Sequence, residues 1–388
     1  MNVFYWVAGC VLGLAWLSRI IDAALGMPTV ADISLPQWDR RPVNSARVSI
    51  IVPARNEEAT IAQVLEQLLV LDYENYEVIA VDDRSFDRTG AIMDQVAASA
   101  GAHARLKIVH IEKLPSGWMG KAHGMWKAAR QATGEWLLFT DADVLFKPDV
   151  LRRAVAYAEA ESADHVVLFP RMIMKSAGER MMISFFQTMF VFGHRPWKVA
   201  DPKTKDHMGV GAFNLLRRKV YEAVGTYEAL RFEVLDDMKL GKVVKNSGFA
   251  QRNVFGHDLI SLRWGHGAMG IVNNVTKNFF AVMSFQSWRM LASSFAVAFL
   301  NLMPFIGVVA AHGWARLPFA IALFCMFAIY VGMSNRSDVR PYYFLLHPIS
   351  SVLFVYAMLR SMFLTLGQGG VVWRGTKYPL EELRRGLV

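Results

Sequence analysis

Long apolar runs occupy both ends of the chain, whereas its middle alternates between short apolar segments and polar ones. One run covers residues 1–26, and three more lie near 291–311, 314–333 and 343–366. A helix needs about 20 largely apolar residues to cross a bilayer, so these runs predict an N-terminal anchor and a C-terminal group of membrane helices. The first run lacks a basic n-region and a small-residue cleavage site, which favours a retained anchor over a secretory signal. A histidine, a proline and an arginine make the last run the weakest.

The middle of the chain shows apolar, β-branched runs that alternate with helical periodicity. This alternation predicts an α/β fold, a parallel sheet with helices on both faces. Ligands bind such sheets beyond the carboxyl ends of the strands, so the aspartate pairs that end the second and fourth strands should converge on one crevice. The predicted strands are 48–53, 77–83, 105–111 and 134–143, and the predicted helices are 57–70, 88–100 and 122–132.

Beyond residue 148 the pattern is mixed, with further strands predicted near 165–173, 209–217 and 249–255. Residues 181–197 are apolar but short and interrupted by polar side chains, so they predict an interfacial helix rather than a span. The predicted organisation is an anchor, a globular α/β domain, an interfacial helix region, membrane helices and a basic tail, at residues 1–26, 45–265, 266–290, 291–366 and 367–388.

Composition agrees with a membrane protein and limits the possible partners. Apolar residues make up 54% of the chain and charged ones 19%, against roughly 25% charged in an average soluble domain. The net charge of +9 suits an anionic lipid surface and an anionic substrate. The lysines and arginines are dispersed without a binding motif, so nucleic acid is not an expected partner. Both cysteines, Cys10 and Cys325, lie in apolar runs, which argues against a zinc site or a disulfide framework.

The tripeptide D-A-D, which begins at Asp141 and ends at Asp143, follows the wholly apolar run WLLFT. Alternate residues in an extended segment can direct one carboxylate toward a sugar or ribose and the other toward a metal. Carboxylate and phosphate oxygens are the ligands that Mg²⁺ and Mn²⁺ prefer. An isolated D-x-D is more often a pair of solvated loop carboxylates, but a rigid strand end favours the metal and donor site.

Five segments carry a resemblance to a known family. In this order they resemble the nucleotide-sugar half of family 2 glycosyltransferases, which have the Rossmann-like GT-A fold. More narrowly, the chain resembles the membrane-bound branch with hopanoid-associated and carotenoid glycosyltransferases and ceramide glucosyltransferase, over residues 48–277. The segments are VSIIVPARNEEATI, VDDRSFDRT, GWMGKAHG, LLFTDADVLF and LDDMKLG.

The resemblance implies roles for the residues near the first two strands. Pro53, Arg55 and Glu57 would line the nucleotide pocket, and Asp82 or Asp83 would contact the nucleobase. The alternatives are a structural turn at a strand end and acidic residues at a helix start, where they are favoured in any case.

The resemblance also implies roles along the later motifs. Lys121 matches a lysine that approaches the diphosphate, although an exposed lysine at a helix start is an equal alternative. Asp141 would contact the donor, and Asp141 and Asp143 would hold Mg²⁺ or Mn²⁺. Asp237 matches the general base, with Asp236 beside it in place of the more common glutamate. The two aspartates could instead only cap a helix.

The last family motif, Q-x-x-R-W on an interfacial helix, is not present in full. Residues 260–264 have R-W without the glutamine, and residues 286–290 have Gln and Arg without the tryptophan. The N-V-T-K-N segment at 274–278 is favoured, because the lipid-modifying branch tends to place Lys-Asn there. Lys277 would then face the diphosphate as a point charge.

The segment WRGTKYP, residues 373–379, resembles a short C-terminal motif of the same branch and raises a question of topology. With an outward N-terminus, one anchor and three further spans would place this motif on the side away from the donor. Either the 343–366 run does not cross or the motif has no catalytic role. The positive-inside rule favours the first alternative.

The sequence therefore predicts a multi-pass protein of the cytoplasmic membrane with a catalytic domain on the cytoplasmic face. The expected reaction is inverting transfer of a hexose from a nucleotide sugar, with UDP favoured, to a membrane lipid. The acceptor could be a hopanoid, a carotenoid, a sphingolipid or a glycerolipid, and the sequence does not distinguish between them. One alternative is a polysaccharide synthase of the same fold, which the incomplete Q-x-x-R-W motif disfavours. Another is a catalytically silent lipid-binding protein, which the complete set of carboxylates disfavours.

Overall fold

A computed structural model describes residues 2–99, 105–334 and 337–386 of the chain. They form two compact units. The sheet unit contains Val30–Arg171, Lys198–Leu262 and the segment from Glu381. The helical unit comprises the segments up to Thr29, Met172–Trp197 and Arg263–Leu380.

Strands and helices are numbered in chain order. The strands are β1 Val48–Ala54, β2 Tyr76–Asp83, β3 Leu106–Ile111, β4 Trp136–Phe139, β5 Leu145–Phe146, β6 His165–Phe169, β7 Arg171–Met172, β8 Asn214–Arg217, β9 Gln251–Phe255, β10 Ile260–Leu262, β11 Gly370–Trp373 and β12 Thr376–Pro379. The helices are α1 Asn2–Gly26, α2 Ile61–Leu69, α3 Thr89–Ala98, α4 Gly120–Ala129, α5 Val150–Ala160, α6 Ala177–Gly193, α7 Arg218–Ala223, α8 Asp236–Asn246, α9 Gly267–Val282, α10 Ser287–Ala310, α11 Leu317–Ser334, α12 His347–Gly367 and α13 Leu380–Arg385.

The main sheet of the sheet unit has the strand order β3-β2-β1-β4-β8-β6-β9. β1 is parallel to both β2 and β4, with Val48 opposite Tyr76 and Trp136. The side chains of Ile50 and Ile51 are fully buried, as expected where helices cover both faces of a sheet. The predicted alternation of strands and helices is confirmed over β1 to β4.

The direction of β8 was not predicted, because the pattern beyond residue 148 is mixed. β8 lies between β4 and β6 and is antiparallel to both, with Phe139 opposite Asn214. A strand buried on both faces has the same apolar run in either direction, so periodicity cannot predict its orientation. Because β8 is antiparallel, it begins where β4 ends, and the loop before it reaches the carboxyl edge of the sheet.

α2 illustrates how the covering helices are specified by the sequence. Ile61, Val64, Leu65 and Leu68 recur at helical spacing, and all four are fully buried. The face they form packs away from solvent, while Gln63 and Glu66 lie on the exposed face.

The helical unit contains the apolar runs. Within the residues that the structure describes, four helical segments are long and apolar enough to cross a membrane: Val3–Thr29, Ser287–Ala310, Gly313–Ser334 and Pro341–Gly367. α1 packs closely on the start of α11, because a Cβ added at Gly13 would lie 2.9 Å from the carbonyl oxygen of Pro318. Glycines allow this close backbone approach between membrane helices. α6, which the sequence placed inside the 45–265 segment, belongs to the helical unit.

Candidate active site

Backbone and side-chain hydrogen bonds tie together the loops that follow β1 and β2. The Asn56 N–H donates to the Ser85 hydroxyl at 3.0 Å, and the Glu57 N–H donates to the Thr89 hydroxyl at 2.7 Å. Asn56 has a positive φ of 55°, a conformation that asparagine tolerates better than most residues. The two loops therefore form one fixed rim at the carboxyl ends of their strands.

This rim includes the residues assigned to the nucleotide pocket. Pro53 lies within β1 and is half-buried, and Arg55 and Glu57 follow directly at the strand end. Thr60 connects them to the D-A-D segment, because its hydroxyl donates to the carbonyl of Ala142 at 3.4 Å. These residues and D-A-D thus lie on the same edge of the sheet.

Asp82 and Asp83 end β2 and have different partners. Asp82 accepts the Ser85 N–H at 3.1 Å and lies 3.2 Å from Nδ1 of His110. Asp83 is buried and makes a bidentate pair with Arg84, at 2.7 and 3.0 Å. A bidentate guanidinium holds a carboxylate in a fixed plane.

Lys121 joins the D-A-D motif to the D-D motif. Its Nζ lies 2.8 Å from Oδ1 of Asp141 and 3.5 Å from Oδ1 of Asp236. Asp236 is the first residue of α8 and is only 5% exposed. A buried carboxylate is costly without a cationic partner, so the nearby ammonium of Lys121 stabilises it. Burial alone would lower the pKa of Lys121, but the carboxylates of Asp141, Asp236 and Asp237 raise it well above its ordinary value. The ammonium therefore stays charged among three aspartates.

The start of α4 brings β2 into the same crevice. A Cβ added at Gly120 would collide with Oδ2 of Asp83, so a glycine is required next to that carboxylate. The next residue, Lys121, reaches Asp141 at the end of β4. The convergence of the two aspartate pairs that the sequence predicted is thereby observed.

Gly211 fixes the position of the remaining aspartate. Its N–H donates to Oδ2 of Asp237 at 2.7 Å, while the Met238 N–H donates to Oδ1 at 2.7 Å. The carbonyl of Gly211 accepts the Asp141 N–H at 3.0 Å. A Cβ on Gly211 would collide with the carboxylate of Asp141. The loop before β8 therefore spaces the two aspartates and orients both.

No motif in the sequence marked Gly209, Gly211 or Tyr227 as part of the site. A Cβ on Gly209 would collide with the backbone carbonyl of Asp237. Tyr227 is buried, and burial followed by the charge of Asp236 raises its pKa well above the ordinary value, so the phenol stays neutral. The G-V-G spacing directly before an apolar strand was the available signal for the glycines, since such spacing marks close backbone approach. The tyrosine has no comparable signal.

The D-A-D residues fit a divalent cation that arrives together with a diphosphate. Asp143 is exposed, and Asp141 is partly exposed beside Lys121. Across residues 2–99, 105–334 and 337–386, no three His, Cys, Asp or Glu side chains group as metal ligands. Mg²⁺ is usually held by one or two carboxylates together with substrate phosphates rather than by a complete protein cage. A two-carboxylate site is therefore the appropriate donor set.

The three partial Q-x-x-R-W matches fall outside the sheet unit or at its boundary, and the structure gives each a local contact. Lys277 lies on α9 of the helical unit, with its Nζ 4.1 Å from the ring centroid of Trp373. Arg263 donates to Oε1 of Glu179 at 2.8 Å and joins the starts of α6 and α9. Arg289 lies over the ring of Trp288 at 5.5 Å.

The chain is similar to several proteins that are named as glycosyltransferases. A model of the family described as Glycosyl transferase family 2 matches residues 49–225. The beta-monoglucosyldiacylglycerol synthase of Synechocystis sp. is 34% identical over 167 residues, which are 40% of this chain and 33% of that relative. The match thus spans about a third of the length of that relative. The 4,4'-diaponeurosporenoate glycosyltransferase of Staphylococcus aureus is 20% identical over 384 residues, 95% of this chain and 100% of the relative.

A solved structure shares the fold over almost its whole length. A mannosyltransferase from Pyrobaculum calidifontis, in complex with GDP-Man and Mn²⁺, matches with a TM-score of 0.55 and 19% identity. The match covers 92% of this chain and 99% of that one. At this identity the likeness concerns the fold alone, and the GT-A fold expected from the sequence is confirmed.

Proposed function

We propose that this chain, whose residues 49–225 match the Glycosyl transferase family 2 model, is a glycosyltransferase that transfers a hexose from a nucleotide sugar, with UDP as the nucleotide, to a membrane lipid. The observation that carries this proposal is the position of Lys121 between Asp141 and Asp236. It joins the donor motif to the catalytic motif in one crevice, as the transfer of a sugar from a diphosphate requires.

The reaction is a single displacement with inversion. Asp237 takes the proton of the acceptor hydroxyl, whose oxygen forms the new bond to the anomeric carbon. The bond from that carbon to the diphosphate oxygen breaks, and its electron pair leaves with the nucleoside diphosphate. Two backbone N–H groups hold the carboxylate of Asp237, so its orientation is set before the substrates arrive.

The donor is bound along the rim and the D-A-D segment. Pro53, Arg55 and Glu57, at the end of β1, are proposed to line the nucleotide pocket. Asp82 or Asp83, at the end of β2, is proposed to contact the base.

The diphosphate is the anion that these residues must accommodate. A Mg²⁺ or Mn²⁺ ion bound at Asp143 and Asp141 would neutralise charge on the departing diphosphate. Lys121 contributes a further positive charge close to Asp141. Lys277 is proposed to act on the same diphosphate, an assignment that rests on the position of the N-V-T-K-N segment in the family.

The acceptor is proposed to be a lipid that stays in the bilayer. The chain contains four helical segments that are long and apolar enough for a membrane, within the residues that the structure describes. The two relatives named above are a beta-monoglucosyldiacylglycerol synthase and a 4,4'-diaponeurosporenoate glycosyltransferase. A glycerolipid, a carotenoid, a hopanoid or a sphingolipid would each present a hydroxyl or carboxyl group at the membrane surface. The basic residues that follow α1 favour a cytoplasmic catalytic unit in the cytoplasmic membrane.

Incubation of membranes that contain the protein with radiolabelled UDP-hexoses tests the proposal. Extraction and mass spectrometry should identify one lipid that carries a single hexose, and chelation of divalent cations should abolish the label. Membranes with the Asp237→Asn variant serve as the control. A long polysaccharide product would contradict the lipid assignment, and absence of any hexose transfer would contradict the proposed reaction.

A further inference from the structure

α10 provides a scale of depth within the helical unit. It runs from Ser287 to Ala310, and only residues 283–286 separate its start from the end of α9. At 1.5 Å per residue, Asn301 lies about 21 Å along the helix from its first residue. A contact with a given α10 residue therefore shows how far, measured along α10 from the α9 side, a neighbouring segment lies.

α12 begins deep within this scale. Nε2 of His347, its first residue, lies 2.9 Å from Oδ1 of Asn301. The ring of Phe344, three residues earlier, lies 5.5 Å from the ring of Phe305. The start of α12 is therefore closer to the end of α10 than to its beginning.

The other end of α12 returns to the start of α10. Arg360 donates to the hydroxyl of Thr276 at 2.9 Å, and the Ser361 hydroxyl accepts the Phe280 N–H at 2.9 Å. Both partners belong to α9, which directly precedes α10. α12 thus runs antiparallel to α10 and ends on the α9 side.

The segment that leads into α12 enters from that same side. α11 begins beside the end of α10, where a Cβ added at Gly307 would lie 2.5 Å from the ring of Phe319, and it runs back toward α9. After α11, Val339 and Tyr343 pack in one cluster with Ile271 and Val275 of α9. The 3-10 helix Pro341–Leu346 then carries the chain inward to His347.

A backbone that turns inside the bundle needs enclosed polar partners, since lipid offers none. His347 is fully buried, and the Tyr330 hydroxyl lies 3.0 Å from its Nδ1 while Asn301 faces its Nε2. The amide of Asn301 donates in turn to the carbonyl of Val297 at 2.8 Å. The His347 side chain, where α12 begins, is therefore hydrogen-bonded to α10 and α11 and enclosed within the helical unit.

Because α12 ends on the α9 side, the C-terminal hairpin that follows it also lies on that side. β11 and β12 pair through a two-residue turn at Arg374 and Gly375, both with positive φ, as the tightest hairpin turns require. This rigid turn directly follows Trp373, whose ring lies 4.1 Å from the Nζ of Lys277. The hairpin is thus on the α9 side of the helical unit.

We propose that the segment from Pro341 to Gly367 is a re-entrant helix, which enters and leaves the membrane on the α9 side. Trp373, which follows this helix and lies next to α9, is then a positioning residue that holds the ammonium of Lys277. The second half rests on the proposed role of Lys277 toward the donor diphosphate. The indole face attracts the ammonium and limits the positions that the Lys277 side chain can adopt. The 343–366 run then enters and leaves on one side, which resolves the topology question that the sequence raised.

Cysteine labelling tests the re-entrant path without reference to activity. In a Cys10→Ser, Cys325→Ala background, Lys377→Cys on the hairpin is compared with Lys175→Cys near the start of α6 and His312→Cys beyond α10. A membrane-impermeant maleimide, applied to vesicles of each orientation, should label Lys377→Cys from the same face as Lys175→Cys. Labelling from the face of His312→Cys would overturn the re-entrant assignment.

A double-mutant cycle tests the positioning role. Trp373→Ala should raise the KM for the UDP-hexose about 3- to 10-fold with a smaller change in kcat, and Trp373→Phe should restore most of the loss. In a Lys277→Ala background the same substitution should have no further effect. The matched control is Val372→Ala, the exposed neighbour on the same strand.

Two results would overturn the positioning role. One is an equal effect of Trp373→Ala with and without Lys277, and the other is a Lys277→Ala variant with wild-type KM. Either would leave the hexose transfer itself in place. Loss of the proposed function would instead appear as absence of transfer by the wild-type protein.

Discussion

The backbone N–H of Gly211 donates to Oδ2 of Asp237 at 2.7 Å, and this contact ties a loop of the sheet unit to the proposed catalytic base. The carbonyl of the same glycine accepts the N–H of Asp141. A single residue without a side chain thus sets the separation between the donor motif and the catalytic motif. The separation should be sensitive to one added carbon atom.

Gly211→Ala is therefore expected to lower kcat/KM about 100-fold, the scale of loss that a misplacement of about 1 Å can cause. The added Cβ would push against the carboxylate of Asp141. Steady-state kinetics measures the effect, and Gly193→Ala is the control because nothing lies within 4 Å of its Cβ position. A Gly211→Ala variant with wild-type kinetics would show that the loop does not space the aspartates.

Asp237→Asn should reduce kcat by about 10²- to 10⁴-fold, the usual contribution of a general base. The amide keeps an oxygen that can accept the Gly211 N–H but cannot take up the proton. Calorimetry should find the affinity for the nucleotide sugar unchanged. Asp236→Asn should instead weaken donor binding, because Asp236 pairs with Lys121. The reverse pattern would exchange the roles of the two aspartates.

Lys121→Met should destabilise the sheet unit by about 2 kcal/mol, less than the full cost of breaking a buried pair because Asp141 is partly exposed. The substitution leaves the buried carboxylate of Asp236 without its ammonium partner. Denaturant unfolding in detergent measures the loss. Lys113→Met, at an exposed position, should leave the free energy of unfolding unchanged. Equal stability of the two variants would mean that the ammonium contributes little to the fold.

His110 should make stability depend on pH. Burial lowers its pKa, but the carboxylates of Asp94 and Asp82 outweigh this and raise it above the ordinary value. The stabilisation is therefore complete below the unfolded pKa of about 6.5 and is lost as the pH rises through the folded value. The difference in Tm between wild type and His110→Asn should shrink from pH 6 to pH 9. A constant difference would contradict the charged pairing, and His312→Asn is the control.

Asp143→Asn should raise the Mn²⁺ concentration needed for half-maximal transfer at least about 10-fold, a loss that even outer-sphere substitutions reach. The physical reason is the loss of one of only two protein carboxylates in the proposed site. A metal titration of hexose transfer measures the shift, with Glu112→Gln as an exposed acidic control. An unchanged titration curve would remove Asp143 from the metal site.

The sequence predicted the parts of the fold that rest on burial. The runs that became β1, β2 and β4 are apolar because helices cover both faces, and the two aspartate pairs lie where the β2 and β4 runs stop. The order of the family motifs then indicated that Asp141 and Asp237 belong to one site.

The parts that could not be predicted depend on direction and on close approach. Hydropathy indicates the length of an apolar segment but not its direction. It therefore predicted neither the antiparallel orientation of β8 nor the proposed re-entrant path of α12. Gly211 acts through its backbone and through the space that a missing Cβ leaves. Residue-type patterns record neither of these properties.

The reversed direction of β8 also makes one stretch of chain adjustable. The loop at 199–213 ends at the crevice, whereas the sheet that it joins is held by strands far from it in sequence. Lys245 of α8 donates to the carbonyls of Val199 and Asp201 at the start of this loop, and Gly211 near its end contacts Asp237 and Asp141. Changes confined to 202–207, between these two attachments, should therefore leave the pairing of β8 with β4 and β6 intact.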